Sequence, residues 1–85
     1  MSRQHHYIKI LPECYRAIES GKKTFEVRFN DRNYQVYDIL HLQEWLNGDY
    51  TGREITAEVT YMIDDPSYCK DGYVIMSIKI HCINN

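Results

Sequence analysis

Cysteine is sparse and poorly placed for cross-linking: Cys14, Cys69 and Cys82 are odd in number, far apart and never in C-x-x-C spacing. That argues against a disulfide framework and a zinc ribbon and leaves three reduced thiols as the expectation. A nucleophilic role would need an activating base nearby. Cys82 alternates with Ile80 and Ile78, which predicts a core position for it. Long apolar runs are also missing. No stretch approaches the ~20 residues that span a bilayer, and Met1-Ser2-Arg3-Gln4-His5-His6 lacks the apolar segment of a signal peptide. A cytoplasmic location without membrane attachment is the expectation. The histidines form no ligand pattern such as H-x-x-x-H: His5 and His6 are adjacent and would face opposite sides of a strand, and His41 and His81 belong to other segments. No metal is expected. With no Gly-rich phosphate loop, dinucleotide fingerprint or G-x-S-x-G elbow, no cofactor is expected either.

A strong excess of basic charge is absent as well. The net charge is −2, whereas a dedicated duplex binder that tracks many phosphates is usually strongly basic. The balance is uneven along the chain, however. Residues 1–32 carry seven Lys/Arg against four acids, and residues 33–85 carry three against eight. A basic head therefore precedes an acidic remainder, a distribution suited to a short or single-stranded ligand held at a local basic patch.

What is present fits one small folded unit. Eighty-five residues, 44% hydrophobic and 26% charged, have the composition of a globular domain, and a chain of this size buries roughly 60–65% of its unfolded surface, enough for one core. A single domain over residues 1–85 is expected. His6 to Leu11 alternates as a first strand with Ile8 and Ile10 inward. Pro12 opens a short helix at the position where a missing amide hydrogen costs nothing. Tyr15, Ile18 and Cys14 form its apolar face before Gly21 ends it. Thr24 to Phe29 is a second strand whose Phe25, Val27 and Phe29 read as its core face. Asn30-Asp31-Arg32-Asn33 is turn chemistry. Asp38 to Trp45 and Arg53 to Ile63 are strands joined by a loop over 47–52. In the latter strand Ile55, Ala57, Val59, Tyr61 and Ile63 share a face. A polar loop over 64–72, a candidate lid, leads to a fifth strand from Tyr73 to Cys82, with Val74, Met76, Ile78 and Ile80 inward. One early helix and five strands predict a mainly β, α+β fold: a small, partly closed barrel.

The densest chemistry lies in Gly21-Lys22-Lys23-Thr24-Phe25-Glu26-Val27-Arg28. At strand period Thr24, Glu26 and Arg28 fall on one face, and Lys22 and Lys23 fall in the turn before it. Such a row is either a solvated ion-pair ladder, worth ~0–1 kcal/mol per exposed pair, or the wall of a ligand cleft. Gly21, Lys23, Glu26 and Arg28 resemble the G-x-K-x-x-E-x-R signature of the ASCH superfamily. The likeness extends through Ile8 to Arg32, Asp38-Ile39-Leu40, Tyr50-Thr51-Gly52-Arg53-Glu54 and Gly72-Tyr73-Val74, and looks like a small bacterial and phage branch of that superfamily. It implies a PUA-like β-barrel that binds RNA. Tyr37-Asp38 stands where relatives often have Gly-Asp, so this turn is expected to do without glycine's positive φ.

The resulting expectation is an RNA- or nucleotide-binding module with a cleft between helix and barrel. Its candidate ligand residues are Gly21, Lys22, Lys23, Glu26, Arg28, Asn30 and Arg32. Arg28 would offer a planar fork to phosphate or a base edge, Lys23 a point charge, and Glu26 an acceptor that orients Arg28. Asn30 and Arg32 fit turn capping as well as ligand contact, and Lys22 fits solvent. Tyr34, Tyr37, Tyr68 and Tyr73, in or beside loops, are candidates for base stacking, while Tyr7, Tyr15 and Tyr61 read as core or its boundary. One alternative is a small amidohydrolase acting on an acetylated cytidine-type nucleoside, as some ASCH relatives are. Lys23 matches their lysine, and Glu26 stands where they have threonine; Lys23 and Glu26 would then be catalytic. Another is a protein-interaction module that works through the acidic remainder.

Overall fold

The computed structural model describes residues 3–85; Met1 and Ser2, part of the leader reading, lie outside the described residues. In chain order the elements are β1 (His5–Ile10), α1 (Pro12–Glu19), β2 (Phe25–Phe29), β3 (Ile39–Leu46), β4 (Asp49–Ile63) and β5 (Tyr73–Asn84). They form one curled sheet of order β1-β3-β4-β5-β2, parallel between β1 and β3 and antiparallel elsewhere. The mainly β, half-barrel architecture expected from the sequence is the one found. Among the described residues no helix is long and apolar enough to cross a membrane.

The inner face holds the core. Leu40 and Leu42 from β3, Ile55, Ala57 and Val59 from β4, and Val74 and Met76 from β5 have no exposed surface. α1 closes one end by burying Tyr15 and Ile18 completely, each such burial being worth ~1.5–3 kcal/mol. Pro12 begins the helix. Gly21, at φ 81°, ends it, with its N–H bonded to Ile18 O at 3.0 Å and the Lys22 N–H bonded to Ala17 O at 2.9 Å. These two bonds are the paired reverse contacts of a left-handed helix exit, and they turn the chain toward β2.

Several expected orientations are reversed, each for a local reason. Phe25, Val27 and Phe29 are 44%, 48% and 55% exposed, whereas Glu26 is 2% exposed. The apolar row of β2 faces outward and the charged row inward. The cause is β5: Glu26 lies opposite Met76 and Arg28 opposite Val74, and cross-strand partners share a face, so the buried row of β5 sets the phase of β2. In β4, Val59 pairs with Ile78 and Tyr61 with Ser77, leaving Thr60 as an extra residue. This bulge turns Tyr61 and Ile63 outward and lets Met62 pack on the core. A second irregularity pairs Ala57 with Ile80 and Thr56 with Cys82, skipping His81. Cys82 is exposed for that reason rather than buried.

The 47–52 loop is shorter than expected. β3 ends at Leu46 and β4 resumes at Asp49, so the turn is Asn47-Gly48, with both residues at positive φ. Tyr37 also has a positive φ, 80°, despite its side chain. Its N–H donates to Val59 O at 2.7 Å, and Asp38 pins the turn by accepting from the Gln35 N–H at 3.0 Å.

Candidate ligand cleft

The inward phase of β2 puts a carboxylate into the barrel interior, where it cannot stand alone. Glu26 Oε1 accepts from Lys23 Nζ at 2.8 Å, and Oε2 accepts from Arg28 Nε at 2.9 Å. Both cations stay partly in water while the acid is sealed. The result is a fixed Lys-Glu-Arg unit that leaves the remaining guanidinium N–H groups of Arg28 aimed away from Glu26.

Those groups reach across the unclosed seam of the barrel. In β1, Gln4 O accepts from Ile39 N, so residues 4, 6, 8 and 10 direct their peptide groups toward β3, and 5, 7 and 9 direct theirs to the free edge. Arg28 Nη2 donates to Lys9 O at 3.0 Å, and Arg32 Nη1 donates to Tyr7 O at 2.9 Å. Two guanidiniums thus stand in for a missing strand and join β1 to β2 and its following connection. The remaining edge groups of Tyr7 and Lys9 are N–H donors, so the seam is rich in donors on both sides.

A cleft of about 380 Å³ opens there, within the usual range for small-molecule sites. Tyr7, Lys9 and Tyr50 form one wall and Arg28, Asp31, Arg32 and Tyr34 the other. Tyr34 is 2% exposed, and its ring meets His6 edge-on at 4.7 Å. Burial raises its phenol above the ordinary value, against the opposing pull of Arg32 and Arg28, so it remains a neutral hydroxyl. Below it, Asp38 binds His6 Nε2 at 2.8 Å and also accepts from the Gln4 and Gln35 amides. Burial alone would raise its pKa, but the His6 bond and the two amides outweigh that and hold it below the usual value.

The expected residues separate into groups. Arg28 and Arg32 line the cleft. Lys23 and Glu26 stand behind Arg28 as its support. Asn30 uses its side chain to accept from Tyr34 N at 2.9 Å, a turn-holding bond. Gly21 and Lys22 are exposed at the helix exit and line no part of the cleft. The cleft itself lies between the free edge of β1 and the β2–β3 connection, not between helix and barrel, because no α1 residue lines it. Nor does the 64–72 loop form its lid: none of that loop's residues lines it, and Asp65 instead folds the loop back through the amides of Ser67, Tyr68 and Cys69. Among the tyrosines, Tyr15 is buried and Tyr37 and Tyr68 are exposed as expected, whereas Tyr34 is buried and Tyr7 and Tyr61 are 56% and 64% exposed, against expectation. Tyr7, Lys9 and Tyr50 were not among the expected ligand residues. The outward phase of Tyr7 and Lys9 is visible beside Ile8 and Ile10, but which strand edge faces β2 is not.

Comparison with known proteins places the chain. It is 36% identical over 76 residues to an uncharacterised 12.9 kDa protein in the GpA 3′ region of Escherichia phage P2, covering 89% of this chain and 69% of that protein. The family model for a domain of unknown function, DUF3850, matches residues 5–78, which contain both strand edges of the seam and all the cleft residues named above, and the chain belongs to that family.

Proposed function

We propose that this domain is an RNA- or nucleotide-binding module of the ASCH, PUA-like kind, with the ligand seated in the seam cleft. The observation that carries the reading is the convergence of the Arg28 and Arg32 guanidiniums on a cleft walled by Tyr7, Tyr34 and Tyr50. Guanidinium forks match phosphate oxygens and base edges, and the exposed rings of Tyr7 and Tyr50 match base faces, whereas Tyr34 is buried. The seam polarity supports an acceptor-rich ligand: both guanidiniums and the edge amides of β1 are donors, and they outnumber the one carboxylate of the lining, Asp31. Glu26 belongs to the support, since each of its oxygens already accepts from a cation.

The hydrolase alternative is the weaker reading. It needs an amine lone pair at Lys23, and Lys23 Nζ is engaged as donor to Glu26 at 2.8 Å. The test of the binding reading is fluorescence anisotropy with labelled short RNAs and competition by nucleoside monophosphates at low salt. Binding in the micromolar range that weakens on Arg32→Ala is expected. No binding to any RNA or nucleotide at tens of micromolar protein would refute it.

A further inference from the structure

The cleft shares residues with the outer face of the sheet. Tyr7, Lys9 and Tyr50 belong to its wall and also to the outward row of β1 and β4. On that outer face Tyr7 lies flat on His41, with ring centroids 4.3 Å apart and planes at 9°. His41 in turn stacks on His5 at 5.1 Å. Farther along, the Lys9 ammonium sits 4.0 Å from the centroid of Trp45, and Trp45 meets Tyr50 edge-on at 4.8 Å. Tyr7 and Tyr50 are 56% and 48% exposed, so neither ring is used up by its neighbour.

Cross-strand pairing explains part of this row, since Tyr7 is the register partner of His41 and Trp45 that of Tyr50. Pairing does not explain why the aromatic row meets an arginine-lined cleft, with an ammonium between the two exposed rings. We propose that the outer face of β1, β3 and the start of β4 is a base-stacking platform continuous with the cleft. Its ligand is single-stranded RNA of about three or more nucleotides. One nucleotide occupies the cleft, its neighbours stack on Tyr7 and Tyr50, and Lys9 meets the phosphate between them. This rests on the cleft being a nucleotide site.

The platform selects against duplex in two ways. Paired bases hide the faces that the rings would contact, and a net charge of −2 gives little of the counterion release that drives duplex binding. Glu58 and Glu54 both lie on the outward row of β4 and both are engaged: Glu58 Oε1 pairs with His81 Nε2 at 2.9 Å, and Glu54 pairs through Oε2 with His41 Nδ1 and accepts through Oε1 from Gln43 Nε2, both at 3.1 Å. That engagement limits their repulsion of a phosphate chain.

The experiment is an anisotropy series at fixed low salt: the four nucleoside 5′-monophosphates as competitors, then mixed-sequence RNA of two, three and five nucleotides, then a blunt duplex of the same pentamer. Affinity is expected to rise at least tenfold from monophosphate to pentamer and to fall at least tenfold on the duplex. Trp45→Leu, checked for folding by thermal melting, is expected to lower the pentamer-to-monophosphate ratio at least fivefold. Equal affinity for monophosphate and pentamer would overturn the platform while leaving the cleft reading intact. Loss of all binding, monophosphates included, would overturn both. Because the length series uses the unaltered protein, it decides the matter even if the Trp45 variant does not fold.

Discussion

The two faces of β2 carry opposite chemistry to the one their residue types suggest. Phe25, Val27 and Phe29 face solvent, while Glu26 is sealed inside and Arg28 lies half-buried beside it. Five residues of alternating sequence cannot decide by themselves which row goes in, because the alternation is symmetric. The decision comes from β5, whose Val74, Met76 and Ile78 are buried by the whole sheet. A weak strand inherits its phase from a strong neighbour. Placing Glu26 inward is then tolerable only because two cations sit on its two oxygens.

The sharpest way to break this comparison is to remove the buried acid. Glu26→Ala leaves Lys23 and Arg28 without their shared acceptor and is expected to lower folding stability by about 2–4 kcal/mol in urea unfolding. A change under about 1 kcal/mol would show that β2 does not hold its charged face inside. Next in size is Arg28→Lys, which keeps the charge and loses the fork that touches both Glu26 and Lys9 O. It is expected to cost roughly 1–3 kcal/mol in RNA or nucleotide binding, with a smaller change in melting temperature. A stability loss exceeding the binding loss would make Arg28 a structural clamp only.

The second buried acid offers a pH test of the same idea. Because the folded protein holds Asp38 below its usual pKa of 3.8, its ionised form contributes stability that is complete above that value and is lost as the pH falls through the depressed one. Asp38→Asn is therefore expected to destabilise the protein near neutrality, and the gap in melting temperature between the two proteins should narrow as the pH drops below about 4. A gap of constant size from pH 7 to pH 2 would contradict the assignment. The smallest effect is expected on the outer face: Val27→Thr should shift stability by no more than about 0.5 kcal/mol. A much larger loss would mean that this row is covered in solution.

Much of the architecture was legible because alternation is a local signal. The helix with Tyr15 and Ile18 inward, its exit at Gly21, and the inward rows of β1 and β5 all follow from the order of residues. Cys82, Tyr61 and Ile63 were misread because single-residue bulges at Thr60 and His81 reset the phase, and no residue type there announces them. The site was half legible for a related reason. Charge, spacing and family likeness pointed to Gly21, Lys22, Lys23, Glu26, Arg28, Asn30 and Arg32, which lie close together in the chain, and of these Arg28 and Arg32 line the cleft. Tyr7, Lys9 and Tyr50 come from segments that only the sheet order brings to the same seam.

That sheet order has a consequence in time. β3, β4 and β5 follow one another as neighbours and close through nearby turns, whereas the two earlier strands must wait. His5 finds Ile39 only after the β3 segment exists, and Phe25 finds Ser77 only after β5 does. Distant pairings of this kind close slowly and late. The meander is thus expected to form first, with the two outer strands added to it afterwards and the arginine-bridged seam completed last of all. A molecule that grips Arg28 and Arg32 together would recognise only chains that have finished this sequence. Its occupancy would then hold the latest-formed and first-opened part of the protein shut.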